Sequence, residues 1–449
     1  MRRRFRVAVV QEPLSEVQDR CESVADADLL LSWRGEQANV SVDLMHLLMC
    51  ARHPLCDAVH DLLDIAIALF IADIAIPRGR NEAWPRDISL KVPVVEIEAW
   101  ESVSPLLDRL LFDLTRDRIC VEFYPTPGLA YRQIHGESGA SADCVSMLSG
   151  GLDSLAGAVM LQEAGRIPVY SMHYSGNPRA RSAQQRALQT IDLQWSGGGM
   201  GCPCVVEPNA RGHRALHFPC AEEREPSRRM RSLLFMAIAL ATAEAAGVDE
   251  VFMCENGVLT AALPLAPSRA GSLSTHSTHP MVIRQMNLIA ERLGLRAQIS
   301  NPFVYQTKGE LLRDVLAPRL SIAEIQSTVS CWMTGRAQRQ CGGCIPCLLR
   351  RLSMGWAGLP EEAYMIQLLE KPCDYVGTHA YGNLMDLLRQ IRRFSTQTDA
   401  ELLASQPGLL SLQETGVDFA EVIAMFRRHA EQSMSVVQRR YPAAADLID

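Results

Sequence analysis

Apolar and polar positions divide the chain into three zones. Up to residue 140, a short apolar run at Phe5–Val10 is followed by helix-period patterns near residues 55–75 and 101–114. Strand-like runs at Ile88–Val95 and Ile119–Phe123 accompany them. This mixture predicts an α+β domain over residues 1–140. Tyr124–Gly128 and the polar Gly136–Ser141 read as the linker that closes it. From residue 141 the pattern alternates. An apolar run at Cys144–Leu148 leads through a glycine turn into a helix over Leu155–Ala164. Strand Pro168–His173, helix Ser182–Ile191, helix Arg228–Ala246, strand Glu250–Cys254 and helix Met281–Leu293 follow. Such alternation predicts an α/β fold, a doubly wound parallel sheet of Rossmann-like type, across residues 141–357. The glycine-rich stretch Ser196–Gly201 interrupts it and reads as a mobile lid or insertion. Residues 358–449 are patterned as helices, clearest at Leu384–Arg393 and Phe419–Tyr441, and predict a helical C-terminal extension.

Composition changes this picture little. The 449 residues are too many for one ordinary core, and 48% hydrophobic with 21% charged residues is the make-up of a soluble globular protein. A net charge of −7 and a pI near 5.9 give no footprint of a nonspecific nucleic-acid binder. The most apolar stretch, Ile65–Ala72, is bracketed by Asp61, Asp64 and Asp73 and falls short of the roughly 18 residues a membrane span needs. A buried helix is expected there. The basic start Arg2–Arg6 lacks the apolar run of a secretory leader, because Gln11-Glu12-Pro13 breaks it, so a cytoplasmic protein is expected. Fourteen cysteines in such a chain point to metal or buried thiols rather than disulfides.

The sharpest chemical signal is Ser149-Gly150-Gly151-Leu152-Asp153-Ser154, between a predicted strand and a predicted helix. Two glycines permit positive φ and aim successive N–H groups into one concavity, and the helix N-terminus adds its dipole. Ser149 and Ser154 offer hydroxyls, and Asp153 is placed to hold the magnesium that accompanies a polyphosphate. The plainer reading is a glycine turn capped by Asp153 or Ser154. No Gly-Lys-Ser/Thr follows, so this is not a Walker A loop. Downstream, Arg228, Arg229 and Arg231 open a predicted helix, where cations oppose the helix dipole unless an anion lies between them. Thr307-Lys308-Gly309-Glu310 reads as a capping box that leaves Lys308 free to reach a phosphate. Glu255, Asn256 and His279 follow strand ends in suitable regions.

Cys331 and Cys341-Gly-Gly-Cys344-Ile-Pro-Cys347 form the second signal. Four thiolates at this spacing suit a closed tetrahedral zinc site, with an iron–sulfur cluster as the rival. Cys202, Cys204, His213, His217 and Cys220 make a looser set that reads as incidental.

The Ser-Gly-Gly-x-Asp-Ser loop resembles that of the PP-loop ATP pyrophosphatases, a HUP-like superfamily. The ending Cys341-Gly342, Cys344, Cys347, Arg350 is similar to that of its QueC branch, the 7-cyano-7-deazaguanine synthases. The resemblance covers residues 144–352. It implies ATP as substrate, with Mg2+ and Zn2+, and cleavage between the α- and β-phosphates. Ser149, Gly150, Gly151, Leu152, Asp153, Ser154, His173 and Tyr174 would bind the nucleotide. Asp153, Ser154, Lys308 and Arg231 would serve the chemistry, and Cys331, Cys341, Cys344 and Cys347 would hold zinc. Arg231-Ser232 stands where the QueC helix has Arg-Asn. The added N- and C-terminal residues make the whole resemble the enlarged QueC-like proteins of bacterial anti-phage systems, QatC of the Qat system and type IV CBASS enzymes among them. That implies activation of a small-molecule deazaguanine acid and its transfer to an amine on a partner protein from the same operon, which residues 1–140 would dock. Ammonia as acceptor, giving the nitrile of queuosine biosynthesis, is the competing reading. A tRNA thiolation enzyme and a catalytically dead ATP-sensing scaffold are weaker ones.

Overall fold

The structure, a computed structural model, describes residues 4–11, 26–52, 54–78, 85–126, 141–174, 177–209, 216–265, 277–332 and 339–448. Of the expected linker, Tyr124 and Pro125 end a strand, and residues 127–140 lie outside the described residues, as does His213. Among the described residues, five strands precede residue 140: β1 (Phe5–Val9), β2 (Leu29–Leu31), β3 (Val40–Asp43), β4 (Asp87–Val94) and β5 (Arg118–Pro125). Four of them form a sheet in the order β2-β1-β4-β5, and every pairing in it is parallel. Helix α1 (Asp57–Ala75) precedes β4, and α2 (Ile97–Thr115) connects β4 to β5. Within the α/β fold predicted for the chain, this N-terminal part is therefore a parallel layer and not the α+β unit its pattern suggests. Three-residue β2 is too short to show alternation.

Helix α1 is the expected buried helix: every residue from Ala58 to Ala75 is buried. Its acids are all engaged. Asp61 accepts the N–H groups of Val95 (2.9 Å) and Glu96 (3.0 Å), Asp64 accepts from Gln11, and Asp73 pairs with Arg86. Burial of these charges is tolerable because each is hydrogen-bonded. No helix among the described residues is long and apolar enough to cross a membrane.

The second sheet contains β6 (Cys144–Met147), β7 (Pro168–Tyr174), β8 (Met200–Pro208), β9 (Glu250–Phe252) and β10 (Gln298–Ser300), in the order β10-β9-β6-β7-β8-β3. All neighbours are parallel except β3, which runs antiparallel to β8. Helices α3 (Leu152–Glu163), α4 (Pro178–Gln194), α5 (Arg231–Ala246) and α6 (Pro280–Arg292) accompany it. Strand order reverses between β6 and β9. Doubly wound sheets bind ligands at the carboxyl ends of the strands flanking such a switch.

Two expectations change. Ser196–Gly201 is not a lid: it is a tight turn feeding β8, an interior strand. A Cβ on Gly199 (φ 114°) would lie 2.3 Å from the Pro168 carbonyl oxygen. Residue 140 is also no break in packing. β3 belongs to the second sheet, and one apolar core runs from Val9, Leu31 and Ile65 through Val145 and Val169 to Leu233. The C-terminal part is helical as expected, with α7 (Ile345–Trp356), α8 (His379–Thr396) and α9 (Phe419–Arg440) around a core in which Phe394 and Phe426 stack at 4.5 Å.

Candidate active site

The loop after β6 is pre-formed. Gly150 takes φ 77°, and a Cβ there would meet Gln184 N at 2.6 Å, so both conformation and the approach of α4 demand glycine. Gly151 is extended (φ −85°) and serves as N-cap of α3, so only one glycine of the pair uses the left-handed region. Ser149 Oγ and Ser154 Oγ lie 3.0 Å apart. The Ser149 N–H donates to Ser154 Oγ (3.2 Å), and the Ser154 hydroxyl donates to Gly151 O (3.0 Å). Leu152 is buried in the core beneath.

Asp153, in the first turn of α3, is 8% exposed and accepts from Lys308 Nζ on both oxygens at 2.6 Å. Asn256 Nδ2 donates to the same carboxylate at 2.9 Å. The expected capping box is present: Thr307 N–H donates to Glu310 Oε2 (2.8 Å) and Glu310 N–H to Thr307 Oγ1 (3.1 Å). Helix α9 braces that cap. Thr307 Oγ1 donates to Gln432 Oε1 (2.8 Å), and Arg428 pairs with Glu310 (2.8 Å). In this arrangement the Asp153 carboxylate orients Lys308 through both of its oxygens.

The arginine run splits. Arg228 has φ 48°, and α5 begins only at Arg231. Buried Arg229 turns away to donate to Thr115 O (2.9 Å), and desolvation brings its pKa down to about 10. Arg231 faces a cavity with its guanidinium 5.7 Å from the Phe235 ring centre, and it makes no ion pair with a described residue. Asp73 accepts the Met230 N–H (3.1 Å), so α1 caps the helix that carries Arg231. Glu255, also on the cavity wall, has its carboxyl raised above the usual range by burial and by neighbouring Asp153, and Thr278 donates to it. His279 caps α6, its Nδ1 accepting the Met281 N–H at 3.2 Å.

His173 and Tyr174 end β7 but do not line this cavity. His173 packs between Phe70 and Phe235 with Nε2 3.2 Å from Val206 O, and burial lowers its pKa to about 4. Tyr174 lies under the Arg181 guanidinium at 4.6 Å.

Cys331, Cys341, Cys344 and Cys347 converge, with their sulfurs all within 4.8 Å of one another. Cys341 and Cys347 sulfurs are 3.8 Å apart, and those of Cys331 and Cys344 are 4.0 Å apart. A tetrahedral ion with bonds of about 2.3 Å sets sulfurs roughly 3.8 Å apart, so the quartet fits one zinc. Backbone N–H groups of Gly343 and Cys344 point at Cys341 Sγ, and hydrogen bonding from the neighbouring thiols holds that sulfur toward thiolate. Arg350 is fully buried and donates to Thr328 (2.7 Å), Ser330 (3.2 Å) and Ile325 O (3.1 Å), with Glu362 as its ion partner. Since the Val329 N–H donates to Gly150 O (3.0 Å), the knot is fastened to the phosphate loop. Cys202 and Cys204 are separately buried in β8, and no second metal-ligating group occurs among the described residues.

A cavity of about 750 Å³ joins these parts. Ser149, Ser154 and Arg231 stand at its wall with the β9 end, and Cys341, Gly343 and Cys344 border it beside His379, Asn383 and Gln390 of α8. The last three were not singled out in the sequence. Gln390 was detectable there, as a polar residue on the apolar face formed by Leu384, Leu387 and Ile391.

The family model described as "Queuosine biosynthesis protein QueC" matches residues 226–357. Among curated relatives, the chain is similar to the 7-cyano-7-deazaguanine synthase of Xanthomonas euvesicatoria pv. vesicatoria (strain 85-10), 25% identical over 49% of this chain and 96% of that protein. The same-named proteins of Ectopseudomonas mendocina (strain ymp) and Synechococcus sp. (strain CC9902) are 26% and 28% identical, over 48% and 49% of this chain and 95% and 96% of theirs. The likeness thus supports a QueC-like family for about half of the chain, and α8 and α9 lie beyond the family match.

Proposed function

From a QueC-like region built around a phosphate loop, we propose an ATP-dependent enzyme that adenylates 7-carboxy-7-deazaguanine and passes the acyl group to an amine on a partner protein. The observation that carries the reading is the shared cavity: a preformed phosphate loop and an arginine with no ion pair to a described residue open into the same space as a largely apolar chamber. In the first step a carboxylate oxygen of the acid attacks the α-phosphorus of ATP. The bond from that phosphorus to the bridging oxygen breaks, and its electron pair leaves with pyrophosphate. Ser149, Ser154 and the loop N–H groups hold the departing anion, with Arg231 opposing its growing charge. Lys308, fixed by Asp153 and Asn256, supplies a second cation on a rigid mount. In the second step an amine attacks the acyl carbon and AMP leaves with the electrons of the acyl–oxygen bond. Glu255, with its raised pKa, is the wall group suited to take the amine's proton.

Zinc at the cysteine quartet would bind through Cys331, Cys341, Cys344 and Cys347 and supply structural closure, with no part in acyl transfer. The acceptor is where this reading departs from that of the similar synthases, whose name gives a cyano, that is nitrile, product; the alternative reading takes ammonia as acceptor. The α8 wall, outside the family match, supports a different acceptor, and an anti-phage operon supplying the partner is the setting proposed. The test combines ATP, magnesium, 7-carboxy-7-deazaguanine and the neighbouring operon protein. Pyrophosphate release and one added deazaguanine on the partner's intact mass are expected. An unmodified partner with efficient nitrile formation from ammonia would assign the chain to the synthases instead.

A further inference from the structure

Helix α8 contributes two amide side chains to the cavity, and they are in opposite states. Asn383 is committed to the fold, with its Nδ2 donating to Gly343 O at 2.9 Å. Gln390, two turns further along, is 2% exposed and lines the same cavity, yet its Oε1 has no hydrogen-bond partner among the described residues. A buried amide left unsatisfied is costly and calls for an explanation. Its surroundings sharpen the question, because Leu387 on the same helix and Val258 and Leu263 opposite present apolar surface to the same space. A pocket with apolar walls and one polar group suits a planar ring, with the polar group fixing its orientation.

A primary amide carries an acceptor and a donor side by side, and it is matched by an edge that carries a donor beside an acceptor. We propose that Gln390 reads such a lactam edge, the N–H next to C=O of a guanine-type heterocycle, and so selects the acid that the enzyme activates. This rests on the activity proposed above for the direction in which the acid's carboxylate faces, but not for the pairing itself. The C-terminal addition would then be part of the substrate pocket.

Binding of 7-carboxy-7-deazaguanine and of 7-deazaguanine, which lacks the carboxylate, is measured by calorimetry on the full chain. Wild type is compared with Gln390→Met, close in volume, and Gln390→Leu, alongside ATP binding and thermal unfolding without ligand. Both heterocycles should bind at least about tenfold more weakly to the variants, the size of effect expected when a buried hydrogen-bonding group is removed. ATP affinity should stay within about twofold, and the unliganded midpoint should hold or rise, since an unpaired amide gives way to an apolar chain. Undiminished heterocycle binding by both variants, or no heterocycle binding by wild type, overturns the assignment. So does a fall in midpoint with parallel losses for ATP and base, the mark of a structural glutamine. Wild type that binds both heterocycles through Gln390 but releases no pyrophosphate with the acid would keep the assignment and reject the adenylation reading.

Discussion

The Asp153–Lys308 pair is where a single side chain matters most. Were Asp153 an open loop carboxylate, removing it would leave the fold untouched. It is instead buried with a lysine on both oxygens, and deleting one member of such a pair strands the other at a cost of about 3–5 kcal/mol. Asp153→Asn and Lys308→Met should each lower the urea midpoint and abolish pyrophosphate release. The double variant should recover most of the stability and none of the activity. Full additivity of the two stability losses would show that the pair is not coupled. Histidines give a second prediction. Burial depresses His173 and His429 to about 4 from a usual 6.5. Above pH 6.5 both states are neutral and stability is full. As pH falls towards 4 the unfolded chain takes protons that the fold refuses, so stability declines by up to about 3 kcal/mol per histidine. His173→Phe should flatten that decline in urea titrations between pH 7 and 4, and an unchanged slope would remove His173 from its cause. At this scale the loop was legible because its six residues are contiguous and its glycine turn and helix start are matters of local backbone geometry. Asn256 was noticed only by its place after a strand, because its partner Asp153 lies far along the chain, and Gln390, a polar residue on an apolar helix face, was passed over. His173 shows the converse hazard: a strand end near a switch point also faces ordinary core.

Among elements, the cysteine knot links the most parts: Arg350 and Val329 tie it to the phosphate loop, and its outer face is part of the cavity wall. Purified protein should hold about one zinc per chain, without visible absorption or acid-labile sulfide. Chelation or Cys344→Ser should reduce the thermal midpoint and raise KM for ATP together, because loosening α7 loosens the loop. Iron with sulfide on metal analysis would overturn the zinc assignment. Helices were read well where their periodicity was strong: α2, α8 and α9 lie where the apolar spacing put them, and α1, buried on all sides, lies where its apolar run put it. The start of α5 was not. Arg228, Arg229 and Met230 have no pattern that forbids a helix. The left-handed Arg228 and the carboxylate of Asp73, which receives the Met230 N–H, set the true boundary. Three- and four-residue strands such as β2 and β3 give no alternation to read, and their places come from pairing alone.

For the whole molecule, the two additions flank the QueC-like region and grip it from both sides, α1 capping the helix of Arg231 and α9 bracing the cap of Lys308. Removing residues 1–140 would bare α5 and the edge of β8, and removing 358–449 would open the cavity. Neither truncation should yield a folded, ATP-binding protein when expressed and assayed by calorimetry, and a folded ATP-binding core from either would show that the additions are separable. The parallel sheet behind the phosphate loop was legible from alternation, but the union of the zones was not, since it depends on β3 pairing with a strand made much later. That pairing has a consequence for synthesis. The outermost strand of the catalytic sheet, Val40–Asp43, leaves the ribosome long before Val205–Pro208, the segment it must join. A nascent chain therefore carries an unmated strand through the making of β4 to β7, and the antiparallel closure waits until β8, which ends at Pro208 of 449 residues, has been made. Slowing elongation just before β8 should lengthen the life of that exposed strand, and nascent-chain proteolysis would reveal it as cleavage near residue 40 that ceases once β8 has emerged.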